Sequence, residues 1–351
     1  MRLHEIDTPA LMVDLDAMES NLHRMAGFFH GQPAKLRPHY KNHKCPALAL
    51  KQIEAGAIGM TCATLREAEI LVRHGVPSIL IANEIAGENK INQFAELSRE
   101  ADVMVAVDSE HAVSEIACVA RKQGVPLSVL VDINVGLNRC GVPPGEPALR
   151  LAKSAVEQGL KLRGVMGYEG QLQVIPPSEE RDGSVRVVAK SLVDSRALLE
   201  REGIPVEIVS TGGTGTYYVS GAFEGVTEIQ AGSYLLMDTL YEKRGSPFTR
   251  SLTLLATVVS RPEPHRAVID CGMKELSAER GLSLVKGVEG VELKALHAEH
   301  GLIEFQNPGG GMEIGQKIEL WVHYSDATVN LHRRMYGVRK DNVEEVFQIE
   351  H

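Results

Sequence analysis

Between residue 10 and about residue 240 the chain repeats one pattern: a mainly apolar run of six to eight residues, then a longer segment with apolar side chains at helical spacing. The runs are Ala10 to Leu15, Lys35 to Lys41, Ile58 to Ala63, Ser78 to Asn83, Val103 to Asp108, Leu127 to Asn134, Leu162 to Tyr168, Val206 to Thr211 and Val226 to Ala231. Continuous apolar runs of this length suit strands buried on both faces, and the intervening helices suit parallel crossovers. Thr64-Leu65-Arg66-Glu67 has the form of a capping box, and Gly75, Gly124 and Gly159 fall where helix C-caps are expected. Nine runs, one more than eight, predict a (β/α)8 barrel of the TIM type whose first run leads in from outside. No GxGxxG follows the first run, which disfavours a doubly wound sheet.

After about residue 245 the rhythm changes to short alternating runs, Ser251 to Val259, Arg266 to Asp270 and Ile318 to His323, separated by turns such as Asn307-Pro308-Gly309-Gly310-Gly311. These predict a mainly β domain of roughly 100 residues. The net charge of -9 on 351 residues argues against a nucleic-acid partner. No apolar stretch approaches the roughly 20 residues that span a bilayer, and Met1-Arg2-Leu3-His4-Glu5 lacks a signal-peptide core, so no membrane partner and a cytoplasmic location are expected. Five cysteines without a CxxC pair read as free thiols, and the thirteen histidines form no HExxH or Cys/His ligand pattern.

A parallel barrel carries its chemistry where the strands end. The first informative ending is Arg37-Pro38-His39-Tyr40-Lys41-Asn42-His43-Lys44: a lysine crowded by cationic groups and partly desolvated is the kind that attacks carbonyls, and pyridoxal 5'-phosphate is the candidate aldehyde. A solvated basic loop is the plain alternative. Ser210-Thr211-Gly212-Gly213-Thr214-Gly215-Thr216 follows another run, with glycines that let N–H groups turn toward an anion; it lacks the Walker lysine. Gln230-Ala231-Gly232-Ser233-Tyr234 ends the next run and extends that phosphate cradle. Arg139, in the Gly-flanked bend after Asp132, suits a cofactor phenolate or a substrate carboxylate, or else a salt bridge to Asp132. Tyr168 offers an aromatic face beside a ring, or a core side chain.

Taken in order, RPHYKNHKCP, DINVGLNRCGV, GVMGYEGQLQ, VSTGGTGTYY, QAGSYLLMD, DCGMKELSAERG, EHG and DATVNLH resemble the fold type III pyridoxal-phosphate enzymes of the D-threonine aldolase and D-serine dehydratase group, which is related to alanine racemase. The resemblance spans residues 7 to about 345. It implies a barrel over residues 8–242, a β-rich domain over 243–351 that also takes in 1–7, and a head-to-tail homodimer with shared active sites. It implies Lys41 as the Schiff-base lysine and Arg139 near the cofactor's 3'-oxygen. Ser210, Gly212, Gly213, Thr214, Gly232, Ser233 and Tyr234 fall in the phosphate region, with His39 and Tyr168 around the ring. The implied substrate is a small D-β-hydroxy amino acid such as D-threonine, cleaved by an aldolase or dehydrated through a carbanion at Cα.

The resemblance also carries a departure. In that group a C-terminal histidine two positions before an aspartate or cysteine binds a divalent metal, manganese, magnesium or zinc. Here Asp326 fits, but Tyr324 stands in the histidine's place, and Gln173-Val174 stands where the aldolases carry a Gln-His pair. His323 is one residue off, which on a strand points it to the opposite face; a bulge would bring it back beside Asp326 as a metal ligand. Without a metal, Tyr324 becomes a candidate acid or base opposite Lys41, the arrangement an amino-acid racemase or epimerase requires. A non-catalytic pyridoxal-phosphate carrier is the third reading.

Overall fold

The computed structural model describes residues 1–307 and 312–351, so the 308–311 part of the expected turn lies outside the described residues. In chain order the strands are β1 (Ala10–Asp14), β2 (Lys35–Leu36), β3 (Met60–Cys62), β4 (Ser78–Glu84), β5 (Asp102–Val107), β6 (Ser128–Asp132), β7 (Lys161–Met166), β8 (Ile208–Thr211) and β9 (Glu228–Ile229). Then come β10 (Leu252–Glu263), β11 (Arg266–Ile269), β12 (Leu284–Val285), β13 (Val291–Leu296), β14 (Gly301–Phe305), β15 (Lys317–Trp321), β16 (Arg334–Arg339) and β17 (Asn342–Gln348). The chain divides into two compact units, one of residues 25–41 and 49–232, the other of residues 1–24, 42–48 and 233–350.

In the first unit eight strands run parallel in the order β2-β9-β8-β7-β6-β5-β4-β3. The two ends of that order meet. Ile58 N donates to Leu36 O at 2.9 Å and Thr61 N to Pro38 O at 2.8 Å, and His39 and Thr61 form a parallel bridge, which closes the (β/α)8 barrel that the alternating runs predict. Leu80, Met104, Ala106, Leu130, Met166 and Ile208, from five adjacent strands, pack into one buried cluster. The run Lys35 to Lys41 is mostly not strand: Pro38 has no N–H for a ladder, and Tyr40–Asn42 turns into a 3-10 helix.

The strand beginnings are tied by ion pairs. Arg37 binds Glu228 through Nε at 3.0 Å and Nη2 at 2.6 Å, both residues being 3% exposed, and its Nη1 reaches Ser78 Oγ at 3.0 Å. Ser78 Oγ donates to Asp102 at 3.2 Å, and Arg163 joins Asp102 at 2.8 Å to Glu207 at 2.7 Å. Gly59 is bare because of this packing, since a Cβ there would stand 2.3 Å from Arg37 Nη1 and 2.4 Å from Ser78 O.

The second unit is a mixed sheet with the path β13-β14-β11-β10-β1-β16-β17, to which β15 is added through β10 and β12 through β15. The first apolar run of the chain is therefore an internal strand of this sheet, antiparallel to β10 with Ala10 opposite Leu255 and parallel to β16 with Met12 opposite Tyr336. Ile6, Ala10, Met12, Leu255 and Val338 bury together, which draws residues 1–24 into the unit. Among the described residues no helix is long and apolar enough to cross a membrane.

Removing one partner of the buried Arg37–Glu228 pair leaves an uncompensated charge, so Arg37→Ala is expected to cost about 3–5 kcal/mol. Urea unfolding checks this: the midpoint should fall well below the parent's, and replacing both residues with Met and Leu should cost less than Arg37→Ala alone.

Candidate active site

The barrel strands end on one rim, and the predicted residues can be located there one by one. Lys41 is half-buried in the 3-10 turn, where its N–H reaches His39 Nδ1 at 3.4 Å, while His39 N donates to Ala231 O at 3.2 Å, beyond the end of β9. The side chain of His39 thus braces the turn that carries the lysine.

Arg139 sits in a closed bend after β6. Asn134 N donates to Val142 O at 2.8 Å and Val142 N to Asp132 O at 3.0 Å. Asn134 Oδ1 accepts from Gly136 N at 3.0 Å and Asn138 N at 3.2 Å, an Asx turn that suits the φ of +55° at Asn138. Gly141 has no room for a side chain, because a Cβ would lie 2.6 Å from Asn134 N. The exposed guanidinium stands over Tyr168, with Cζ 5.9 Å from the ring centroid. Among the described residues Arg139 has no hydrogen-bond or ion-pair partner; the salt bridge to Asp132 considered from the sequence is not made.

Asp132 instead faces other acids. Burial, then the charge of Glu84 and a hydrogen bond with it, and then the charge of Asp108 push its pKa up to about 7 against the smaller pull of Arg139. Glu84, Asp108 and Cys140 bring their polar atoms within 4.8 Å of one another, and burial followed by the Glu84 contact raises the Cys140 thiol to about 11. A cavity of about 20 Å³, room for a water molecule, lies among Glu84, Asp132, Arg139, Cys140 and Tyr168. The sequence reading missed this cluster, because the acids come from the ends of β4, β5 and β6 and no linear motif joins them.

The glycine loop after β8 differs from expectation in the direction of its N–H groups. Gly212 N donates to Glu169 Oε2 at 3.2 Å, Gly213 N to Thr216 Oγ1 at 3.2 Å and Gly215 N to Gln173 Oε1 at 2.9 Å. All three turn inward, onto side chains that hold the loop. Glu169, fully buried, also accepts from Thr211 Oγ1 at 3.1 Å, Thr216 Oγ1 at 2.7 Å and Ser220 Oγ at 3.4 Å. Gln173 Nε2 donates to Thr216 Oγ1 at 2.9 Å, and buried Arg181 holds Gly215 O at 2.7 Å. The glycines serve close packing: a Cβ on Gly213 would stand 2.5 Å from Gln173 Oε1, and one on Gly215 2.2 Å from Gln173 O. Gly212 further needs its φ of +79°. Buried Ser210 accepts from Gln230 Nε2 at 2.9 Å, and Thr214, 3% exposed, lies at the turn's centre. Gly232 ends the unit, and the chain passes at Ser233 into the other one, where Tyr234 is buried against Phe248 with centroids 5.6 Å apart.

In the second unit, His323 and Tyr324 lie beyond the end of β15, immediately before the short helix Ser325–Val329, so the strand-face argument does not govern them. His323 Nε2 is 3.0 Å from Arg280 O, which can only accept, so Nε2 carries the proton; Nδ1, 2.6 Å from Thr239 Oγ1, then accepts. Both nitrogens are committed, and His323 presents no lone pair as the metal ligand suggested from the sequence. The Tyr324 ring lies under Arg280, Cζ 5.6 Å from its centroid. Asp326 Oδ1 accepts from Asn42 Nδ2 at 2.7 Å, and the same Nδ2 reaches Ser325 Oγ at 2.8 Å. Ser325 N and Oγ both donate to Asp238 Oδ2, at 3.0 and 2.8 Å. Asn42, which directly follows Lys41, was not singled out from the sequence.

A lysine, a guanidinium over an aromatic ring and a glycine loop thus stand at the ends of parallel barrel strands. The sequence profile described as alanine racemase, N-terminal domain, matches residues 13–239, and that of the putative serine dehydratase domain matches residues 251–338. The chain belongs to this alanine-racemase-like family of D-threonine aldolases and related lyases, which is pyridoxal-phosphate dependent. It is 35% identical to a D-threonine aldolase of an Arthrobacter species, over 99% of this chain and 93% of that protein. The crystal structure of D-threonine aldolase from Filomicrobium marinum superposes with a TM-score of 0.96 at 34% identity, over 99% of this chain and 96% of that one. A mutant D-threo-3-hydroxyaspartate dehydratase, solved in a metal-free form, has a TM-score of 0.91 at 27% identity, over 100% and 99% of the two chains.

The raised pKa of Asp132 has a consequence for stability. Above the ordinary carboxylate range the unfolded chain gives up this proton while the folded chain keeps it, so stability falls as pH rises from about 4 to about 7. Asp132→Asn removes that loss, worth at most roughly 4 kcal/mol above pH 7. Thermal melts check it: the variant should gain on the parent at pH 8 and show less advantage at pH 5.

Proposed function

We propose that this chain is a pyridoxal-phosphate-dependent lyase of small D-β-hydroxy amino acids, acting first as an aldolase on substrates such as D-threonine. The observation that carries the reading is the barrel rim, where the turn holding Lys41, the Arg139 bend and the glycine loop occupy the ends of different strands, in a chain similar to a D-threonine aldolase along nearly its whole length. The donor set fits the cofactor. Lys41 supplies a primary amine and Arg139 a guanidinium with no hydrogen-bond or ion-pair partner among the described residues.

When bound, pyridoxal 5'-phosphate draws electrons from the bonds at Cα of an amino acid. Lys41 would hold its aldehyde carbon and, once exchanged for substrate, move a proton at Cα. Arg139, permanently charged, would hold the ring oxygen without giving up a proton. Tyr168, fixed beneath the guanidinium, would bound one edge of the ring, and His39 would keep the Lys41 turn in register. Because the N–H groups of Gly212, Gly213 and Gly215 face inward, the phosphate would rely on Thr214 and Ser210 with Gly232, Ser233 and Tyr234. The reading includes a cytoplasmic homodimer whose sites are shared.

The divalent metal does not fit in the same way. His323 has no free lone pair, Tyr324 replaces the imidazole, and one carboxylate, Asp326, remains of the expected pair. The racemase reading, which needs Tyr324 as a second base, is less favoured, since an aldolase and a dehydratase match in sequence over 99% and 90% of this chain, whereas alanine racemases match over 48% and 58% of it.

Incubation of the holoprotein with D-threonine, L-threonine and D-serine tests the proposal. Acetaldehyde and glycine from D-threonine alone are expected; keto acid would mark a dehydratase, and interconversion of enantiomers without aldehyde would favour the racemase. Lys41→Ala should abolish turnover and the cofactor's visible absorption together, by more than about 10²-fold in rate; full activity in that variant would refute the proposal.

A further inference from the structure

We propose that Glu169 is a positioning residue for the cofactor's phosphate: by fixing the glycine loop after β8, it makes that loop selective for the phosphorylated aldehyde over pyridoxal itself. The inference rests on the pyridoxal-phosphate reading and names the group on which the phosphate site is built.

The Glu169 carboxylate is fully engaged. Oε2 accepts from Thr211 Oγ1 at 3.1 Å and Gly212 N at 3.2 Å, and Oε1 accepts from Thr216 Oγ1 at 2.7 Å and Ser220 Oγ at 3.4 Å. A carboxylate offers about four such positions, so none remains with which to touch a ligand or take a proton. The residue is fully buried, and among the described residues it forms no ion pair. A carboxylate in such a place is costly to bury, and neutral donors are what offset the cost here. All four donors lie between Thr211 and Ser220, the segment that turns out of β8.

The carboxylate also sets direction. Because it only accepts, Thr216 directs its single hydroxyl proton to Oε1, which leaves both hydroxyl lone pairs for Gly213 N at 3.2 Å and Gln173 Nε2 at 2.9 Å. Gln173 is thereby oriented with Oε1 toward Gly215 N, at 2.9 Å. From Glu169 through Thr216 and Gln173, the three glycine N–H groups are held in one pattern, and Arg181 completes it at Gly215 O, 2.7 Å away. A loop whose pattern is set before the ligand arrives loses little freedom on binding, which is how such a frame raises affinity for the group the loop receives.

An amide in place of the carboxylate breaks the pattern. In Glu169→Gln the one oxygen has to face Gly212 N, which can only donate, so the NH2 faces Thr216. Thr216 Oγ1 already accepts from two N–H groups, and one of them has to leave. The loop then has more than one arrangement, and only a fraction of the molecules present the one that binds phosphate. Lys41, which would bond the aldehyde, lies in the separate turn after β2.

Titration of the full-length protein, freed of cofactor, with pyridoxal 5'-phosphate and with pyridoxal tests this, read from the visible absorption each aldehyde gains on bonding to lysine. The parent should favour pyridoxal 5'-phosphate. Glu169→Gln should weaken pyridoxal 5'-phosphate ~10-fold and leave pyridoxal unchanged. Thr216→Val, which removes the hydroxyl, should do the same, and Thr216→Ser should restore the parent's preference. An equal loss for both aldehydes would mark the frame as merely structural. Unchanged or tighter phosphate binding in Glu169→Gln and Thr216→Val would show that the loop does not need it. Either result overturns the inference while the cofactor reading stands, whereas a parent that binds both aldehydes equally, or neither, would overturn it along with that reading.

Discussion

The barrel depends on how its shortest strand is closed. Strand β2 contributes only Lys35 and Leu36 to the ladder with β9, yet the ring must shut there, and Lys41 comes five residues after Leu36. Hydrogen bonds from Ile58 and Thr61 to the carbonyls of Leu36 and Pro38, together with the buried Arg37–Glu228 pair, supply what the missing ladder would have given. The closure sets the position of every strand end, and so decides which side chains share the rim. Pro38 then ends the strand and lets the chain turn, which brings Lys41 out of the sheet while His39 remains bonded to it.

Charge is distributed unevenly over that rim. Beneath Arg139 three carboxylates crowd together, and one of them, Asp132, is pushed toward its neutral form. The glycine loop has a different foundation, a buried carboxylate met by hydroxyls and one N–H, with Gln173 and Arg181 locking the remaining turn. A loop fixed in this way is ordered by the protein's own side chains. The single permanent cation presented by the bend, Arg139, makes no ion pair among the described residues and lies over the Tyr168 ring.

Much of the fold was legible as periodicity. Strands covered on both faces leave continuous apolar runs, so seven of the eight barrel strands and the change of rhythm near residue 245 could be read directly, while the run Lys35 to Lys41 is strand only at Lys35 and Leu36. The destination of the first run was less so: Ala10 to Leu15 is apolar in either sheet, and only its pairing with β10 and β16 places it. Lys41, Arg139 and the glycine loop stood out because each lies in a local motif. Glu84 and Asp108 did not, since their encounter with Asp132 arises from three separate strands. The inward direction of the loop's N–H groups depends on Glu169 and Gln173, from the connection after β7, and the protonation of His323 depends on a carbonyl at Arg280. Composition and spacing carry no record of either.

The central claim is that one amine, Lys41, carries the cofactor. Borohydride reduction of the holoprotein, followed by digestion and mass spectrometry, tests it most directly. The reduced pyridoxyl group should be found on the peptide containing Lys41 and on no other lysine. Its recovery on a different lysine, with Lys41 unmodified, would contradict the claim.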